Sequence, residues 1–332
     1  MSSKVQERKI RWGIIAPGNI SIAFAEGMKA VTNAEIVAVA SRDLSRAEEF
    51  AKKFNIRKAY GSYEEIVKDD EVDAIYIATP HSFHKDMSIM CLQHGKAVLC
   101  EKPATLNSKE LKEVIDTAEK HNTFYMEAMW MRFLPVIREV KKLVDEGTIG
   151  ELRLVKADFS FMAPMNPESR LFSKRLAGGA LLDVGVYTIA FAEHILEKYP
   201  TVITSFAEIG KTEVDEQAAA ILGYEDGKMA ILNFAVRTDT DKCAYVYGTE
   251  GYIKIPNFWM ARKAYLIKNG AETVIECDFT GNGYNYETEE VNSCIREGKL
   301  QSDIMTWKFS LQVMNIMDTL RNQWNMKYPT EL

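Results

Sequence analysis

The sequence predicts an α/β protein in which an N-terminal Rossmann domain, a doubly wound parallel sheet, is followed by an α+β domain with a large, mainly antiparallel sheet. Residues 9–124 alternate short apolar strands with helical stretches, as βαβ units do. Beyond residue 129 the chain has long apolar–polar alternations joined by hairpin-type turns, and its 332 residues exceed what one core usually supports. We therefore assign residues 1–128 to a dinucleotide-binding domain and 129–332 to a domain for substrate binding and oligomerisation.

Composition excludes several classes of function. A net charge of -6 gives no electrostatic reason to expect nucleic acid or an anionic membrane as a partner. There is no apolar run near the roughly 20 residues of a membrane span, and residues 1–11 lack the apolar centre of a signal peptide, so we expect a cytoplasmic protein. The five cysteines are scattered and form no C-x-x-C pair, which argues against a disulfide framework and against a metal site.

The first domain is expected to alternate strands and helices in chain order. Strands are predicted at residues 10–16, 35–40, 74–78, 98–100 and 123–128. Helices are predicted at 20–30, 45–54, 84–94 and 108–121, the last with Ser108 as its N-cap.

The turn after the first strand is the first cofactor candidate. It stands where dinucleotide-binding folds keep G-x-G-x-x-G or G-x-G-x-x-A, but only the middle glycine, Gly18, is intact. A glycine there lets the backbone approach a pyrophosphate, and the following helix supplies amides and a positive dipole. We therefore predict that Ala16, Gly18, Asn19 and Ile20 bind a dinucleotide; an incidental strand–turn–helix is the alternative.

The end of the second strand bears on which dinucleotide binds. An NAD site usually presents an acidic residue about 20 residues beyond the glycine, whereas an NADP site offers an arginine. Ser41, Arg42 and Arg46 could hold a 2′-phosphate by hydrogen bonds and charge, so NADP(H) is preferred. NAD(H) stays open, because Asp43 could take the ribose and leave Arg42 in solvent.

Another candidate lies where the apolar strand at 98–100 runs into Glu101, Lys102 and Pro103. Pro103 cannot continue a strand, so the strand should end at the charged pair. Ligands of open α/β sheets sit outside the carboxyl ends of the strands, which makes Lys102 a candidate for substrate chemistry. A surface ion pair at a strand end is the alternative.

The second domain is expected to begin with an amphipathic helix at 134–145 and to close with a helix at 303–325. Strands are predicted at 152–161, 201–209, 218–224, 229–236, 242–247, 251–255 and 264–268. Helices should cover one face of this sheet, so the other face has to meet another surface.

A further candidate lies in the apolar helix expected at 180–196, which follows the pair Gly178–Gly179. Asp183 and Tyr187 are four residues apart and share one face of that helix. Polar groups on an apolar helix need partners, so a structural hydrogen-bonded pair is the alternative to a site. His194 is expected to be structural.

These motifs occur in an order that resembles the glucose-fructose oxidoreductase, inositol dehydrogenase and MocA family. The residues that carry the resemblance are Ala78-Thr79-Pro80-His81, His84 and Glu101-Lys102-Pro103. Other stretches look most like the branch of dimeric dihydrodiol dehydrogenase and D-xylose dehydrogenase, and these are 42–47, 58–63, 95–103, 126–133 and 178–187.

The resemblance implies that Tyr187 faces Lys102 and the nicotinamide. It implies that Thr79, Pro80, His84 and Glu101 lie on the cofactor side. It also implies that the open sheet of the second domain packs against its copy, which gives a homodimer or a higher homo-oligomer.

Oxidation of a secondary alcohol needs hydride transfer to the nicotinamide and loss of the hydroxyl proton, and the protein must do the second. A neighbouring ammonium favours the anion of a tyrosine. Our hypothesis is that Tyr187 exchanges the proton, Lys102 assists it and binds the substrate oxygen, and Asp183 orients the substrate; exchanged roles for Lys102 and Tyr187 stay open.

Three further residues are expected to wall the substrate pocket. Trp130 and Arg132 lie just past the domain boundary, and Phe161 lies in the loop before the glycine pair. Ordinary packing is the alternative for each. We predict an NADP-dependent oxidoreductase that acts on a secondary hydroxyl of a sugar or a cyclic trans-diol. The alternative is a non-catalytic dinucleotide-binding sensor or regulator of the same fold.

Overall fold

The structure is a computed structural model that describes residues 8–331. These residues divide into two compact units. The first unit contains the described residues up to Trp130 and a later segment, Thr280–Ser310. The second contains Met131–Phe279 and the chain from Leu311 onward. The division into a cofactor domain and a substrate domain stays a prediction.

The first unit is built on a six-stranded parallel sheet in the order β3-β2-β1-β4-β5-β6. The strand β1 lies in the middle of the sheet, and later strands are added outwards to both edges, as in a doubly wound Rossmann fold. The central strands β4 and β5 are buried along their whole length, and all of their residues except Glu101 are apolar or weakly polar, as expected where helices cover both faces of a sheet. The strands are β1 (Ile10–Ile15), β2 (Ala34–Ala40), β3 (Lys58–Tyr60), β4 (Ala74–Ile77), β5 (Ala97–Glu101) and β6 (Tyr125–Ala128).

Helices follow the strands of this sheet in turn. They are α1 (Asn19–Met28), α2 (Leu44–Phe54), α3 (Tyr63–Val67), α4 (His84–Gln93) and α5 (Ser108–His121). The expected N-cap of α5 is wrong by one residue. The cap is Asn107, whose side chain accepts a hydrogen bond from the amide of Glu110 at 2.9 Å, and Ser108 is the first helical residue.

A later helix, α8 (Tyr284–Glu297), returns to the first unit and has no counterpart among the predicted elements. Its buried face is largely polar, so it lacks the apolar periodicity that reveals a helix. Asn292 on this face accepts a hydrogen bond from the indole of Trp12 at 3.0 Å. The segment that follows α8 brings the indole of Trp307 to the carbonyl of Tyr125 at 2.9 Å. These bonds fasten the late segment to the strands of the parallel sheet.

The second unit is built on an eight-stranded sheet in the order β14-β13-β12-β11-β7-β10-β9-β8. All neighbouring pairs are antiparallel except β7 and β10. The mainly antiparallel sheet is therefore confirmed. The strands are β7 (Leu152–Ser160), β8 (Val202–Ile209), β9 (Asp215–Gly223), β10 (Met229–Ala235), β11 (Cys243–Gly248), β12 (Gly251–Pro256), β13 (Lys263–Lys268) and β14 (Ala271–Glu276).

Two helices of the second unit accompany this sheet, α6 (Pro135–Asp145) and α7 (Val186–Leu196), and the latter packs on β7 and β10. The last long helix is α9 (Trp307–Gln323). The stretch Lys174–Leu196 is long enough for a membrane span, and an 18-residue window within it has a mean hydropathy of 1.3, but 94% of that window is buried inside the protein. Length and composition of this kind also describe the core helix of a folded domain.

Candidate active site

The first turn of the parallel sheet has the geometry of an anion cradle. Ala16 has a left-handed backbone, φ 67°, and its carbonyl accepts a hydrogen bond from the hydroxyl of Ser21 at 3.0 Å. Gly18 caps α1 in an extended conformation, and a Cβ placed there would meet nothing within 4 Å. Asn19 and Ile20 begin the helix, whose first turn has no acidic residue. Open space beside unopposed helical amides fits a pyrophosphate.

Two arginines follow the end of β2, and one of them, Arg46, contacts this turn. Arg46 donates a hydrogen bond to the carbonyl of Pro17 at 3.3 Å, and the guanidinium of Arg42 lies 5.8 Å from the ring centre of Phe83. The neighbouring Asp43 is engaged as the N-cap of α2, where its carboxylate accepts hydrogen bonds from Ser45. The bond from the Ser45 hydroxyl is the largest cause that lowers the pKa of Asp43.

Ser41 lies between β2 and these arginines and is buried. Its amide donates to the carbonyl of Tyr60 at 3.1 Å, and its hydroxyl accepts from the amide of Asp43 at 3.3 Å. These bonds fix the loop that carries Arg42.

His84 lies fully buried beneath the loop after β4 and the turn after β5. Its ring nitrogens lie 2.7 Å from the carbonyl oxygen of Pro103 and 2.8 Å from that of Thr79. Both carbonyl oxygens can only accept hydrogen bonds, so the ring could donate to both of them only in its charged imidazolium form. Burial, followed by the charge of Lys102, lowers the pKa of His84 and thus opposes that form, while the two hydrogen bonds favour it. His84 therefore joins two loops of the cofactor side through their backbones. Pro80 follows Thr79, whose own hydroxyl oxygen is buried with no hydrogen-bond partner in the described chain.

The turn after β5 holds Glu101 and Lys102. The Glu101 side chain accepts hydrogen bonds from the hydroxyl of Tyr76 and, at 3.2 Å, from the amide of Lys102. The Lys102–Pro103 peptide bond is cis. Lys102 is half-buried at the carboxyl end of a central parallel strand, where ligands of such sheets bind.

Two further buried carboxyl groups surround this turn and were not among the predicted site residues. Glu127 accepts a hydrogen bond from the amide of Ala104 at 2.9 Å, and burial raises its pKa. Glu287, on α8, is fully buried, and neither of its oxygens has a hydrogen-bond partner within residues 8–331. Burial, followed by the charge of Glu101, raises the pKa of Glu287 well above its ordinary value. The turn that carries Lys102 is therefore accompanied by three buried acidic residues, Glu101, Glu127 and Glu287.

In the second unit, Asp183 lies in a single π-helical turn, Leu181–Gly185, that opens into α7. Such turns often occur at functional sites. The carboxylate of Asp183 accepts a hydrogen bond from the guanidinium of Arg170 at 2.6 Å. Arg170 lies 13 residues earlier, in an irregular loop, so no helical or strand spacing in the sequence pairs it with Asp183.

Tyr187 lies on the first turn of α7 and is buried. Its ring centre is 5.6 Å from that of Phe159, on β7, and Phe159 in turn stacks on Trp259 at 3.9 Å. Phe161 follows two residues later and is half-buried, and its amide donates to the carbonyl of Ala235 at 3.0 Å. The stacked aromatic pair Phe159 and Trp259 therefore lies beside Tyr187 within this unit.

The remaining predicted pocket residues have clear partners within their own units. The ring of Trp130 stacks on that of Tyr284 at 4.7 Å in the first unit. In the second unit, the guanidinium of Arg132 lies 3.3 Å from Nδ1 of His194, which is buried. In the described part of the chain, no group of three or more His, Cys, Asp or Glu side chains could hold a metal ion.

The first unit thus brings together the predicted cofactor residues around the ends of β1, β2, β4 and β5. The second unit brings together Asp183, Tyr187 and the aromatic residues near them. Four neighbours, Arg170, Phe159, Glu127 and Glu287, were missed because their contacts join separate parts of the sequence.

Two family models match the chain. One is described as an oxidoreductase family with an NAD-binding Rossmann fold and matches residues 10–129. The other is described as the GFO/IDH/MocA C-terminal domain and matches residues 137–254.

Curated relatives match over nearly the whole length. A trans-1,2-dihydrobenzene-1,2-diol dehydrogenase of Xenopus laevis is 38% identical over 96% of this chain and 99% of its own. The human protein of the same name is 34% identical over 97% of this chain and 99% of its own.

Solved structures share the fold. A 3-ketoreductase from Actinomadura kijaniata, in complex with NADP and TDP-benzene, has a TM-score of 0.87 at 23% identity and covers 95% of this chain and 98% of its own. An aldose-aldose oxidoreductase from Caulobacter crescentus, complexed with glycerol, has a TM-score of 0.87 at 20% identity and covers 95% of this chain and 97% of its own.

Proposed function

The chain belongs to the GFO/IDH/MocA family of oxidoreductases, and from that membership we propose that it is an NADP-dependent dehydrogenase acting on a secondary hydroxyl of a cyclic trans-diol or a sugar. The observation that carries this proposal is the 38% identity, over 96% of the chain, to a dehydrogenase named for a trans-diol. The sequence also contains the lysine, aspartate and tyrosine that the family resemblance implies for such chemistry, Lys102, Asp183 and Tyr187.

The contacts at the end of β2 support NADP(H) over NAD(H). Two guanidinium groups, those of Arg42 and Arg46, belong to the loop and helix that follow this strand, and Arg46 reaches the first turn. A 2′-phosphate is bound well by guanidinium groups. The acid that could bind the ribose of NAD, Asp43, already caps α2. We therefore assign Ser41, Arg42 and Arg46 to the 2′-phosphate, with NAD(H) as the weaker cofactor.

When bound, the nicotinamide accepts or donates the hydride. The residues of the chain must then hold the substrate and move its hydroxyl proton. We assign proton exchange to Tyr187. Lys102 is assigned as the cation that favours the phenolate form of Tyr187 and binds the substrate oxygen. We assign Asp183 to orienting the substrate. Its carboxylate already binds the guanidinium of Arg170, so it is better suited to accept hydrogen bonds than to take up a proton. Lys102 as acid/base, with Tyr187 positioning the substrate, is the alternative.

Trp130, Arg132 and Phe161 are proposed to wall the substrate pocket. Phe161 is half-buried and close in sequence to Phe159, which contacts Tyr187. The contacts of Trp130 with Tyr284 and of Arg132 with His194 also fit ordinary packing.

We also propose that the protein forms a homodimer through the outer face of the second sheet, defined here by Val202, Phe206, Ile221 and Met229. These large apolar side chains belong to neighbouring strands, and Phe206 is 74% exposed. Apolar surface of this kind marks an interaction site. A second copy is the occupant that the family resemblance implies. A cytoplasmic location stays a prediction, supported by five cysteines that are all unpaired.

The test is a panel of trans-diols and sugars, assayed with NADP and NAD side by side. We expect turnover with NADP, and we expect Arg42→Ala to raise the KM for NADP more than the KM for NAD, while the exposed control Arg57→Ala changes neither. Binding of the dinucleotide without turnover on any substrate would instead favour a non-catalytic sensor.

Variants of the two reactive groups separate their roles. Loss of the proton-exchanging group should lower kcat by about 100-fold or more. We expect this fall in kcat for Tyr187→Phe, together with loss of the part of the pH–rate profile that reports ionisation of the base. We expect Lys102→Met to shift that part of the profile along the pH axis. The exposed residues Tyr199 and Lys109 provide the controls Tyr199→Phe and Lys109→Met. Full activity of Tyr187→Phe would contradict both assignments.

A further inference from the structure

The start of the helix that carries Asp183 and Tyr187 is held by hydrogen bonds from separate parts of the second unit. The amide of Gly179 donates to the carbonyl of Leu171 at 2.8 Å. The hydroxyl of Tyr328, near the end of the chain, donates to the carbonyl of Gly178 at 2.7 Å. The amide of Leu181 donates to Oδ2 of Asp215 at 2.6 Å. The first helical turn is therefore fixed before Asp183 is reached.

Asp215 is the first residue of β9 and is fully buried. It supplies the one carboxylate among these contacts, and it does so where the amides of a helix have no intrahelical acceptor. Negative charge at this end also complements the helix dipole. Asp215 acts as an N-terminal cap that comes from a strand rather than from the residues just before the helix.

The glycine pair before the helix now has a physical explanation. Gly179 has φ 119°, and a Cβ placed on it would overlap Oδ1 of Asp215. A Cβ on Gly178 would meet the backbone of Leu171. Any side chain at position 179 would push the carboxylate away from the helix start. Gly179 therefore makes room for Asp215, and Gly178 makes room for the backbone of the loop at Leu171.

The capped turn is directly connected to the candidate catalytic groups. Leu181, which Asp215 binds, lies two residues before Asp183 and six before Tyr187. The loop that accepts the Gly179 amide through Leu171 also supplies Arg170, the partner of the Asp183 carboxylate. A shift of the helix start would thus move Asp183 relative to Arg170 and turn the ring of Tyr187.

We propose that Asp215 is a positioning residue for the reaction: it holds the first turn of this helix so that Asp183 and Tyr187 keep their reactive orientation, and it does not touch the substrate. The inference rests on the function proposed above. It extends that function, because Asp215 belongs to no motif by which the site was predicted.

The ionisation of Asp215 is compatible with this role. Burial raises its pKa to about 7, while the amide of Leu181 opposes the shift. Both the carboxylate and the acid keep an oxygen that accepts a hydrogen bond, so the cap persists on either side of neutral pH. Glu193, also on α7, is likewise buried, with a pKa raised by burial to about 7 and a hydrogen bond from Tyr224 at 2.7 Å. It is ten residues beyond Asp183 and provides a matched control.

The experiment compares Asp215→Ala, Gly179→Ala and their double variant with two controls, Glu193→Gln and Gly227→Ala. Gly227 also has a positive φ, 77°, but a Cβ there would meet nothing within 4 Å, so its variant isolates backbone strain from contact with a carboxylate. The first measurement is hydrogen exchange of the amides at 178–187 in the full-length protein. The second is kcat, the KM for the diol or sugar, and the dissociation constant for NADP(H).

In Asp215→Ala we expect the amides at 178–187 to exchange about tenfold faster, because loss of a helix cap typically destabilises the helix by an amount that corresponds to about this factor. We expect kcat to fall by about 10- to 100-fold through misorientation, with the dissociation constant for NADP(H) unchanged, since the cofactor residues belong to the first unit. Asp215→Asn should keep most of kcat because its amide oxygen still accepts from Leu181. Gly179→Ala should resemble Asp215→Ala and add little to it in the double variant.

Unchanged exchange at 178–187 in Asp215→Ala would overturn the inference whether or not the enzyme is active. Faster exchange with an unchanged kcat would also overturn it, because Asp215 would then serve stability alone. A wild-type protein with no turnover on any substrate would reject the proposed function instead, and the exchange rates would still decide whether Asp215 holds the helix start.

Discussion

Glu287 is a carboxyl group in a place that offers it no hydrogen-bond partner among residues 8–331. It is fully buried on α8, and its pKa is raised first by burial and then by the charge of Glu101. An unpaired buried charge is costly, so burial beside Glu101 favours the neutral acid form of Glu287.

Replacement of Glu287 by glutamine is expected to stabilise the protein at high pH. The folded state keeps the proton of Glu287 above pH 4.5, whereas the unfolded chain releases it, so stability falls as pH rises from 4.5 towards the raised pKa. Glu287→Gln removes this fall. At pH 8 it should exceed wild type by about 1–3 kcal/mol in free energy of unfolding, and at pH 5 by less.

Urea unfolding at pH 5, 6.5 and 8 measures this difference. The exposed neighbour Glu289 gives a control, Glu289→Gln, which should stay within about 0.5 kcal/mol of wild type at each pH. A Glu287→Gln variant whose stability falls with pH as steeply as wild type would show that the group is ionised in the folded protein.

Single residues were predictable from sequence only where local spacing revealed them. Two kinds of local spacing indicate a candidate site before the fold is known: positions at the ends of strands, as for Gly18 and Lys102, and positions four apart on one helix, as for Asp183 and Tyr187. Asp215 binds a backbone amide 34 residues away, and no periodicity encodes such a contact. The roles of the predicted site residues stay predictions.

The helix α5 shows how the start of an element is decided by one side chain. Asn107 has extended backbone angles, and its Oδ1 accepts from the amide of Glu110 at 2.9 Å. Ser108 was the predicted cap because serine is a common one, but it already lies inside the helix. Boundaries of this kind depend on backbone angles that neighbouring residue types do not fix.

Asn107→Ala is expected to lower the free energy of unfolding by about 1 kcal/mol, because it leaves a helical amide without its acceptor. Ser108→Ala is the matched control and should change stability by less than about 0.5 kcal/mol. Thermal unfolding of the two variants beside wild type compares them directly. Equal losses in both would mean that the Asn107 side chain contributes nothing as a cap.

Elements were predictable where their buried faces are apolar. The strands of the parallel sheet other than β3, and the helices α1, α2, α4 and α5, were located within a few residues for this reason. By contrast, α8 buries Asn285, Glu287, Thr288 and Asn292, so its inner face resembles a surface. The short β3 and α3, and β14, which is mostly exposed, gave too little pattern to be predicted.

For the whole molecule, the predicted fold class and family resemblance are confirmed. Apolar patterning and motif order extend over the entire chain, so a wrong boundary in one helix or strand does not change the predicted fold class or family. The substrate and the cofactor preference depend on a few side chains and on the shape of a pocket, which patterning does not encode.

The outer face of the second sheet is expected to hold the dimer together. Phe206→Glu places a charge on its most exposed apolar residue and should convert a dimer, of twice the 37.6 kDa chain mass, to monomers. Sedimentation velocity measures the change. Leu44→Glu, an exposed apolar residue of the first unit, is the control and should leave the mass unchanged. A wild-type protein that sediments as a monomer at micromolar concentration would contradict the proposed dimer.

The return of Thr280–Ser310 to the first unit has a consequence for the order in which the protein is made. The parallel sheet emerges first from the ribosome, yet the indole of Trp12 finds its acceptor only when Asn292 has been synthesised. Domains generally fold during synthesis from the amino end. Here the first unit is completed only by a segment that follows the whole eight-stranded sheet in the sequence, so the nascent parallel sheet lacks these contacts until that segment has been made. An excised fragment ending at residue 128 would lack that late segment.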